Sequence, residues 1–288
     1  MNGAARTTGN ALTLSQRRLL RELQRLRVTS GLSQADVAHE MEWSASKQEK
    51  IETGAVGVRV PDLRAMLDLF EVAPDEREAM LQLCRDARRH RWWHDYSDVI
   101  PAHVGAYLGF EDEAQTLRTF TMGSIPSLLQ TGDYAHAVME VRHPALSRHE
   151  MDRMVSVLLT RQKLLTKPDP LRLWAVLDES ALHRQVGGGA VMTTQLAHVA
   201  TMAALPNVVV QVIPYGAGAH ACMDGGFSLL DFPYSGDTPT VFEGVHHARL
   251  QQPDGVSYFR EVFARLTSCA LPETPSAELI GHRNGARS

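Results

Sequence analysis

Residues 31–54 read GLSQADVAHEMEWSASKQEKIETG and carry the signals of two short helices separated by a break. Ser33 begins a capping-box-like start, and Ser44 can cap the second helix. Glu42-Trp43 interrupts the helical pattern between them. Gly54 supplies the left-handed residue that commonly ends a helix. Two short helices joined by a tight turn predict a helix-turn-helix.

Helical patterns flank this pair on both sides. The segment from Ser15 to Arg27 places leucines on one stripe and arginines on the other face, which predicts an amphipathic helix. Val60-Pro61-Asp62 and Pro74-Asp75 each place a proline in a first helical turn. The sequence therefore predicts an all-α N-terminal domain of five short helices.

The second helix of such a pair projects its first side chains into the major groove of DNA. Here those side chains are short and polar, which lets the backbone approach the base edges. We therefore predict base readout from the segment Ser44 to Lys50. The DNA-binding residues that we assign are Gln34, Ser44, Ala45, Ser46, Lys47 and Lys50.

Charge divides the chain near Trp93. The 288 residues carry a net charge of -4, with +2 in residues 1–93 and -6 in residues 94–288. Residues 1–31 hold six arginines and one acid. This balance excludes a polycation of the histone kind, so nucleic-acid contact must come from a local patch. We predict a DNA-binding domain over residues 1–93 and an effector or partner-binding domain over residues 94–288.

Cysteine usage points to a reducing compartment. Cys84, Cys222 and Cys269 are few, odd in number and far apart, which disfavours a disulfide framework or a cysteine zinc site. The first 15 residues lack the apolar core of a signal peptide, and no run of 18 apolar residues occurs. We expect a cytoplasmic protein.

The C-terminal two-thirds alternates helical and strand-like patterns. We predict a long helix over 103–122, a helix from Ser147 or His149 to Leu165, another over 191–205 after Gly187–Gly189, and a closing helix over 256–269. Apolar alternation predicts about four strands, at 171–178, 208–213, 227–232 and 240–245. The predicted fold class is therefore an α+β domain following the helix-turn-helix domain.

Residues 31–54 resemble the xenobiotic-response-element type of helix-turn-helix domain. Four further stretches resemble actinobacterial WhiJ-like regulators, namely 91–101 (RWWHDYSDVIP), 127–135 (SLLQTGDYA), 161–182 and 206–232. That resemblance implies a transcription regulator with a large C-terminal domain of poorly known function. It also implies a small partner protein, often encoded beside the regulator, in an arrangement like a toxin–antitoxin pair.

Three positions depart from that family pattern. Glu42 stands where the turn usually has glycine, and a positive φ there costs on the order of 1 kcal/mol. Gln48 stands at a usually aliphatic, buried position and needs a hydrogen-bond partner. Glu49 stands where serine is common, and an acid near the backbone repels phosphate. These residues keep open a protein-interaction adaptor with a degenerate helix-turn-helix.

The remaining motifs give weak signals for chemistry. His220, Cys222 and Asp224 together with His246 and His247 match no strong zinc spacing. The triple glycine is not part of a phosphate-binding loop, and neither a GxSxG nor an HExxH motif occurs. We interpret Asp178-Glu179 as an exposed turn. We expect no metal, no cofactor and no enzymatic activity, although an enzyme domain fused to a helix-turn-helix remains an alternative.

The loop from Gly216 to Phe227 is the best candidate for a partner or ligand site. It holds four glycines between two predicted strands, which allows close approach of a ligand. We expect His220 to be exposed, and the apolar Met223 and Phe227 to anchor a partner. The site residues assigned here are His220, Met223, Asp224 and Phe227.

A homodimer is also predicted. One helix-turn-helix contacts few bases, and a dimer doubles the half-sites at a spacing of about 34 Å. The long apolar helices predicted at 103–122 and 147–166 motivate this assignment.

Overall fold

The computed structural model describes residues 12–88, 91–233, 239–243 and 253–285. The chain forms two compact units, Met1–His94 and Asp95–Ser288, which are called the N-terminal and C-terminal units below. None of the helices in the described ranges is both long enough and apolar enough to cross a membrane.

Five α-helices form the described part of the N-terminal unit, as predicted. Serine and threonine caps set the starts of the first three: Thr13 and Ser33 each form a full capping box, and the Ser44 hydroxyl accepts from the Lys47 N–H. Gly54 has a φ of +76° after the third helix, as a left-handed stop requires. The helices are α1 (Leu14–Thr29), α2 (Gln34–Glu40), α3 (Ala45–Glu52), α4 (Val60–Leu69) and α5 (Pro74–Arg88).

One apolar core joins these five helices. Each helix contributes its inner stripe, including Leu23, Val37, Ile51, Leu67 and Leu81. Helices shorter than about 12 residues are marginal alone in water, so α2 and α3 depend on this packing for their stability. The core therefore fixes how α3 is presented.

The C-terminal unit consists of helices around one sheet. Its described α-helices are α6 (Ala102–Glu113), α7 (Gly132–Arg142), α8 (Arg148–Arg161), α9 (Ser180–His183), α10 (Gly189–Ala203), α11 (Pro253–Cys269) and α12 (Glu273–Gly285). Ser147 caps α8 through a capping box with Glu150, and Gly188, with a φ of +88°, precedes α10.

The sheet has five strands in the order β3-β2-β1-β4-β5. Strands β1, β2 and β3 run parallel, whereas β4 is antiparallel to β1 and β5 is antiparallel to β4. The strands are β1 (Thr116–Thr121), β2 (Arg172–Asp178), β3 (Val208–Ile213), β4 (Phe227–Asp231) and β5 (Thr240–Glu243). The four predicted strands are present, although residues 244 and 245 of the last one lie outside the described residues.

The predicted long helix over 103–122 is wrong. Helix α6 ends at Glu113, and the chain continues as β1 in the centre of the sheet. The β1 sequence TLRTFT has three β-branched threonines and buries Leu117, Thr119 and Phe120, which suits a strand between two others. Its apolar side chains therefore serve the core, so this segment no longer supports the predicted dimer.

Helix α8 likewise turns its apolar side inward. Val155 and Leu158 pack against Ala135 of α7, within the same unit. Leu159 of the same helix is an exposed side chain.

Helix α12 was missed by the sequence patterns, and it covers the outer edge of the sheet. The Leu271 N–H donates to the Val212 carbonyl at 2.8 Å, and the Ser276 hydroxyl accepts from the Val212 N–H at 3.0 Å. The backbone N–H and C=O of Val212, at the outer edge of β3, are thereby satisfied within the chain.

One face of the sheet packs on α11. Phe120, Val176 and Phe227 are neighbours in register on this face, and they meet Phe263 and Leu266 of the helix. Trp174 lies at the margin of the same cluster, with its ring edge-to-face on Phe263 at 5.5 Å.

A buried ion pair joins α6 to α8. The Arg161 guanidinium donates twice to Glu111, with both N–O distances at 2.7 Å, and both side chains are buried. The Tyr107 hydroxyl donates to the same carboxylate, and Ser127 accepts from Arg161. Burial opposes the charge on Arg161, but the Glu111 carboxylate outweighs it and raises the pKa of the guanidinium.

We expect Arg161→Met to destabilise the C-terminal unit by about 3–5 kcal/mol, because Glu111 is left buried and unpaired. Adding Glu111→Leu should recover most of this loss, since no charge then remains. The measurement is hydrogen exchange of the β1 and β2 amides, followed by mass spectrometry on the full chain. Arg265→Met, which breaks an exposed pair with Glu261, is the matched control and should leave protection unchanged. Wild-type protection in Arg161→Met would contradict the expectation.

Candidate functional site

The first turn of α3 presents the predicted DNA-reading residues to solvent. Ser44, Ala45, Ser46 and Lys50 are exposed, whereas the opposite side of the helix, with Ile51, is buried in the core. A recognition helix requires this division, because one face must hold the helix while the other reads the groove.

Lys47 is also on α3, but its charge is already partnered. Its ammonium lies 3.7 Å from an oxygen of Asp62 and 3.7 Å from the centre of the Trp43 ring. Asp62 also accepts from Arg59 at 2.9 Å. One carboxylate of α4 therefore partly neutralises two cations beside α3, and Lys50 is the more available of the two lysines.

Glu52, the last residue of α3, is the polar centre of the N-terminal unit. Its buried carboxylate accepts from Arg27 of α1 at 2.6 and 3.2 Å, from Gln34 at 2.7 Å and from Gln48 at 2.8 Å. Burial opposes ionisation, but the hydrogen bonds from Arg27, Gln34 and Gln48 outweigh it and hold the pKa of Glu52 below its ordinary value of 4.5.

This network changes the interpretation of Gln34. Gln34 is an exposed residue at the start of α2. Its side-chain N–H nevertheless donates to the Glu52 carboxylate, which therefore orients the side chain. Sequence reasoning missed Arg27 and Glu52 as members of the site. They are 25 residues apart and give no local motif.

Among the described residues, only the N–H end of the buried Gln48 side-chain amide forms a hydrogen bond. Its amide N–H donates to Glu52, but its amide oxygen is buried and finds no hydrogen-bond partner among the described residues. An unsatisfied buried acceptor costs about 1–3 kcal/mol.

Glu42 adopts the left-handed conformation that the missing glycine suggested, with a φ of +53°. Glu71, in the turn between α4 and α5, shares that value. The α2–α3 turn therefore keeps its shape at a modest cost in strain.

Acidic residues outnumber basic ones around the turn. Residues 33–52 hold two lysines and five carboxylates, of which only Glu52 is buried by a network. The exposed acids Asp36, Glu40, Glu42 and Glu49 disfavour approach to phosphate. This arrangement is the structural basis of the adaptor alternative.

The structure contradicts the expected exposure of His220 in the C-terminal loop. The His220 side chain is 3% exposed, its ring lies 5.1 Å from that of Phe120, and its Nε2 is 3.7 Å from an Asp178 oxygen. Its Nδ1 accepts from the Cys222 N–H at 3.3 Å. The glycine-rich loop therefore folds this side chain under itself, where an external partner has little access.

Phe227 is not a surface anchor either. It is buried in β4 against α11, because the chain re-enters the sheet at this residue. Met223 and Asp224 are exposed, as the predicted receiver surface requires. The structure thus separates the four assigned residues into a buried pair and an exposed pair.

His246 and His247 lie outside the described residues. Within the described ranges, no group of three or more histidine, cysteine or acidic side chains is placed to hold a metal ion.

The interpretation of Asp178-Glu179 as an exposed turn is wrong. Glu179 is buried, and it accepts from the Tyr215 N–H at 2.8 Å, from Arg283 at 3.1 Å and bonds to His183 at 3.0 Å. Although burial opposes ionisation, these bonds hold the pKa of Glu179 below its ordinary value. The carboxylate therefore ties β2 to the segment after β3 and to α12.

The Glu52 network predicts a pH dependence of stability in the N-terminal unit. Because the folded-state pKa is depressed, the contribution of the carboxylate is fully present above pH 4.5 and is lost as the pH falls through the folded-state pKa. Glu52→Gln should lower stability by about 3 kcal/mol near neutral pH and flatten this dependence.

Hydrogen exchange of the α1 amides at about pH 6 and about pH 3 measures this effect in the full chain. Glu78→Gln, at an exposed glutamate of α5, is the control and should keep the wild-type pH dependence. An equal pH dependence in wild type and Glu52→Gln would exclude the network as its source.

Two parts of the chain match known families. Residues 18–80 match a family described as a helix-turn-helix domain. Residues 104–282, more than half of the chain, match a family described as a domain of unknown function, DUF5753. Comparison with curated proteins gives no match, and neither does comparison with solved structures. The chain therefore belongs to the DUF5753 family and carries a helix-turn-helix domain ahead of its DUF5753 domain.

Proposed function

We propose that this protein is a sequence-specific transcription regulator that binds operator DNA through α3. The observation that carries the proposal is the exposed first turn of α3, with short side chains at Ser44, Ala45 and Ser46 and a charged Lys50, on a helix whose other face is locked into the core. The helix-turn-helix match over residues 18–80 supports it. Phosphate contacts supply affinity, and the α3 side chains supply base readout.

The C-terminal unit receives the regulatory signal in this proposal. Its net charge of -6 over residues 94–288 disfavours a position on DNA, which leaves its surface available for a partner or ligand. The resemblance to WhiJ-like regulators adds a small partner protein encoded nearby, in an antitoxin-like arrangement. We further propose a homodimer in the cytoplasm, because two half-sites give the specificity that one helix-turn-helix lacks.

We propose a non-enzymatic role for the C-terminal unit. Acids and histidines do gather where β2 and β3 end, as a catalytic cleft would require. Glu179 is nevertheless engaged with three protein groups, and Asp178 accepts from the Ser180 N–H and hydroxyl. Because these carboxylates are hydrogen-bonded within the protein, we assign them a structural role and not the role of acid and base catalysts.

The adaptor remains the second candidate, favoured by the exposed acids around the turn. A genome-wide map of bound sites separates the two. The regulator is expected to give discrete peaks that share one motif, and the adaptor is expected to give none.

Lys50→Ala tests the DNA-binding face on an operator taken from that map. The variant should weaken binding and reduce the magnitude of the salt slope by roughly one unit, because one phosphate contact is lost. Gel shifts over a series of salt concentrations measure both quantities. Lys163→Ala, an exposed lysine of the C-terminal unit, is the control and should behave as wild type. Unchanged binding in Lys50→Ala would remove this part of α3 from the interface.

Asp62→Asn should have the opposite effect. It releases Lys47 and Arg59 from their shared carboxylate, so operator binding should tighten and the salt slope should grow by roughly one unit. The same gel shifts provide the readout. A weaker complex with a smaller slope would show that neither cation faces the phosphates.

A further inference from the structure

A cleft of about 570 Å³ opens at the amino-terminal ends of β1 and β2, beside α11. Thr116 and Arg172 are partners in register there, as are Arg118 and Trp174 two residues further along the two strands. Arg260 and Phe263 of α11 form the opposite wall, and Asp231 at the end of β4 completes it. The volume falls in the range of pockets that bind small molecules.

The cleft carries an excess of positive charge. Three guanidinium groups, from Arg118, Arg172 and Arg260, face one carboxylate among the lining residues. Asp231 pairs with Arg118 and with Arg260, the latter at 2.6 Å. Among the described residues, no carboxylate lies within 4.0 Å of the Arg172 guanidinium. Among the described lining residues, two positive charges are therefore left without a balancing carboxylate.

Trp174 supplies a rigid flat wall beside these cations. Its indole N–H donates to Gln211 at 2.8 Å, and Phe263 holds its ring edge-to-face. The residue is half-buried, so part of the indole lines the cleft while the rest is fixed in the core. A ring held in this way is pre-organised for stacking against a flat ligand.

We propose that this cleft binds a mononucleotide-type ligand, a phosphate monoester of a sugar that carries an aromatic base. The phosphate dianion matches the two unbalanced charges, and arginine forks suit phosphate oxygens. The ring lies along Trp174. The role of such a ligand as the signal of the regulator rests on the proposed function, whereas its binding does not.

Isothermal titration calorimetry on the full chain tests the proposal, with AMP and GMP as probes. At least one of them should bind, and adenosine or guanosine without phosphate should bind at least tenfold more weakly, since hydrogen bonds to charged groups are lost. Inorganic phosphate, which lacks the ring, should also be at least tenfold weaker. The titrations contain no DNA. A lack of nucleotide binding therefore bears on this cleft alone, and operator binding is measured separately on the same preparation.

Variants locate the site. Arg172→Gln and Arg260→Gln should each weaken the mononucleotide about tenfold, because each removes a charged donor. Arg265→Gln is the matched control, since this exposed arginine of α11 pairs with Glu261 and does not line the cleft. Asp231→Asn should tighten binding, because it frees Arg118 and Arg260 from their internal anion.

Three results would overturn the proposal. The first is the absence of binding by both mononucleotides. The second is wild-type affinity in Arg172→Gln and Arg260→Gln, which would put any bound nucleotide elsewhere. The third is inorganic phosphate binding as tightly as the mononucleotides, which would remove the ring and Trp174 from recognition. Circular dichroism spectra identical to wild type establish that each variant is folded.

Discussion

Strand β1 organises the C-terminal unit, because the rest of the sheet is added to its two sides. Parallel strands extend from one side and antiparallel strands from the other. Since β1, β2 and β3 are parallel, their amino ends lie together at one end of the strands and their carboxyl ends lie together at the other. The arginine cleft lies at the amino ends of these strands, and the buried Glu179 and His220 lie at their carboxyl ends. The parallel strands on one side of β1 therefore have an open, charged cleft at one end and a closed cluster of structural hydrogen bonds at the other.

Sequence reasoning succeeded where the signal is local. A serine that caps a helix acts on an N–H three residues away, so Ser33 and Ser44 marked helix starts correctly. Of the two starts considered for α8, Ser147 and His149, the structure has Ser147 as the cap. Strand β1 gave no such signal. Its Leu117, for example, pairs with Leu173 and Leu230, far along the chain, and only two residues separate the strand from the helix before it. Pairing that distant is decided by tertiary structure, which overrides the propensity of a short segment.

The candidate site divides in the same way. The helix-turn-helix pattern identified the exposed first turn of α3, because the whole pattern lies within one short stretch of sequence. The partners of its polar residues come from elsewhere: Arg27 reaches Glu52 from α1, and Asp62 reaches Lys47 from α4. Composition misled at His220, since a glycine-rich loop usually lies open to solvent. Here the glycines allow close approach instead: a side chain on Gly226 would meet the Phe120 carbonyl at 2.5 Å.

The contact that the C-terminal segment makes with β3 bears on how this edge of the sheet avoids pairing with a strand of another chain. An uncovered outer strand of a parallel sheet offers its free N–H and C=O groups to any passing chain, and such edges template aggregation. Here Leu271 and Ser276 occupy those groups on Val212. At this residue the C-terminal segment therefore takes the place that a sixth strand would occupy, and a strand from another chain could pair there only after that segment had left the edge.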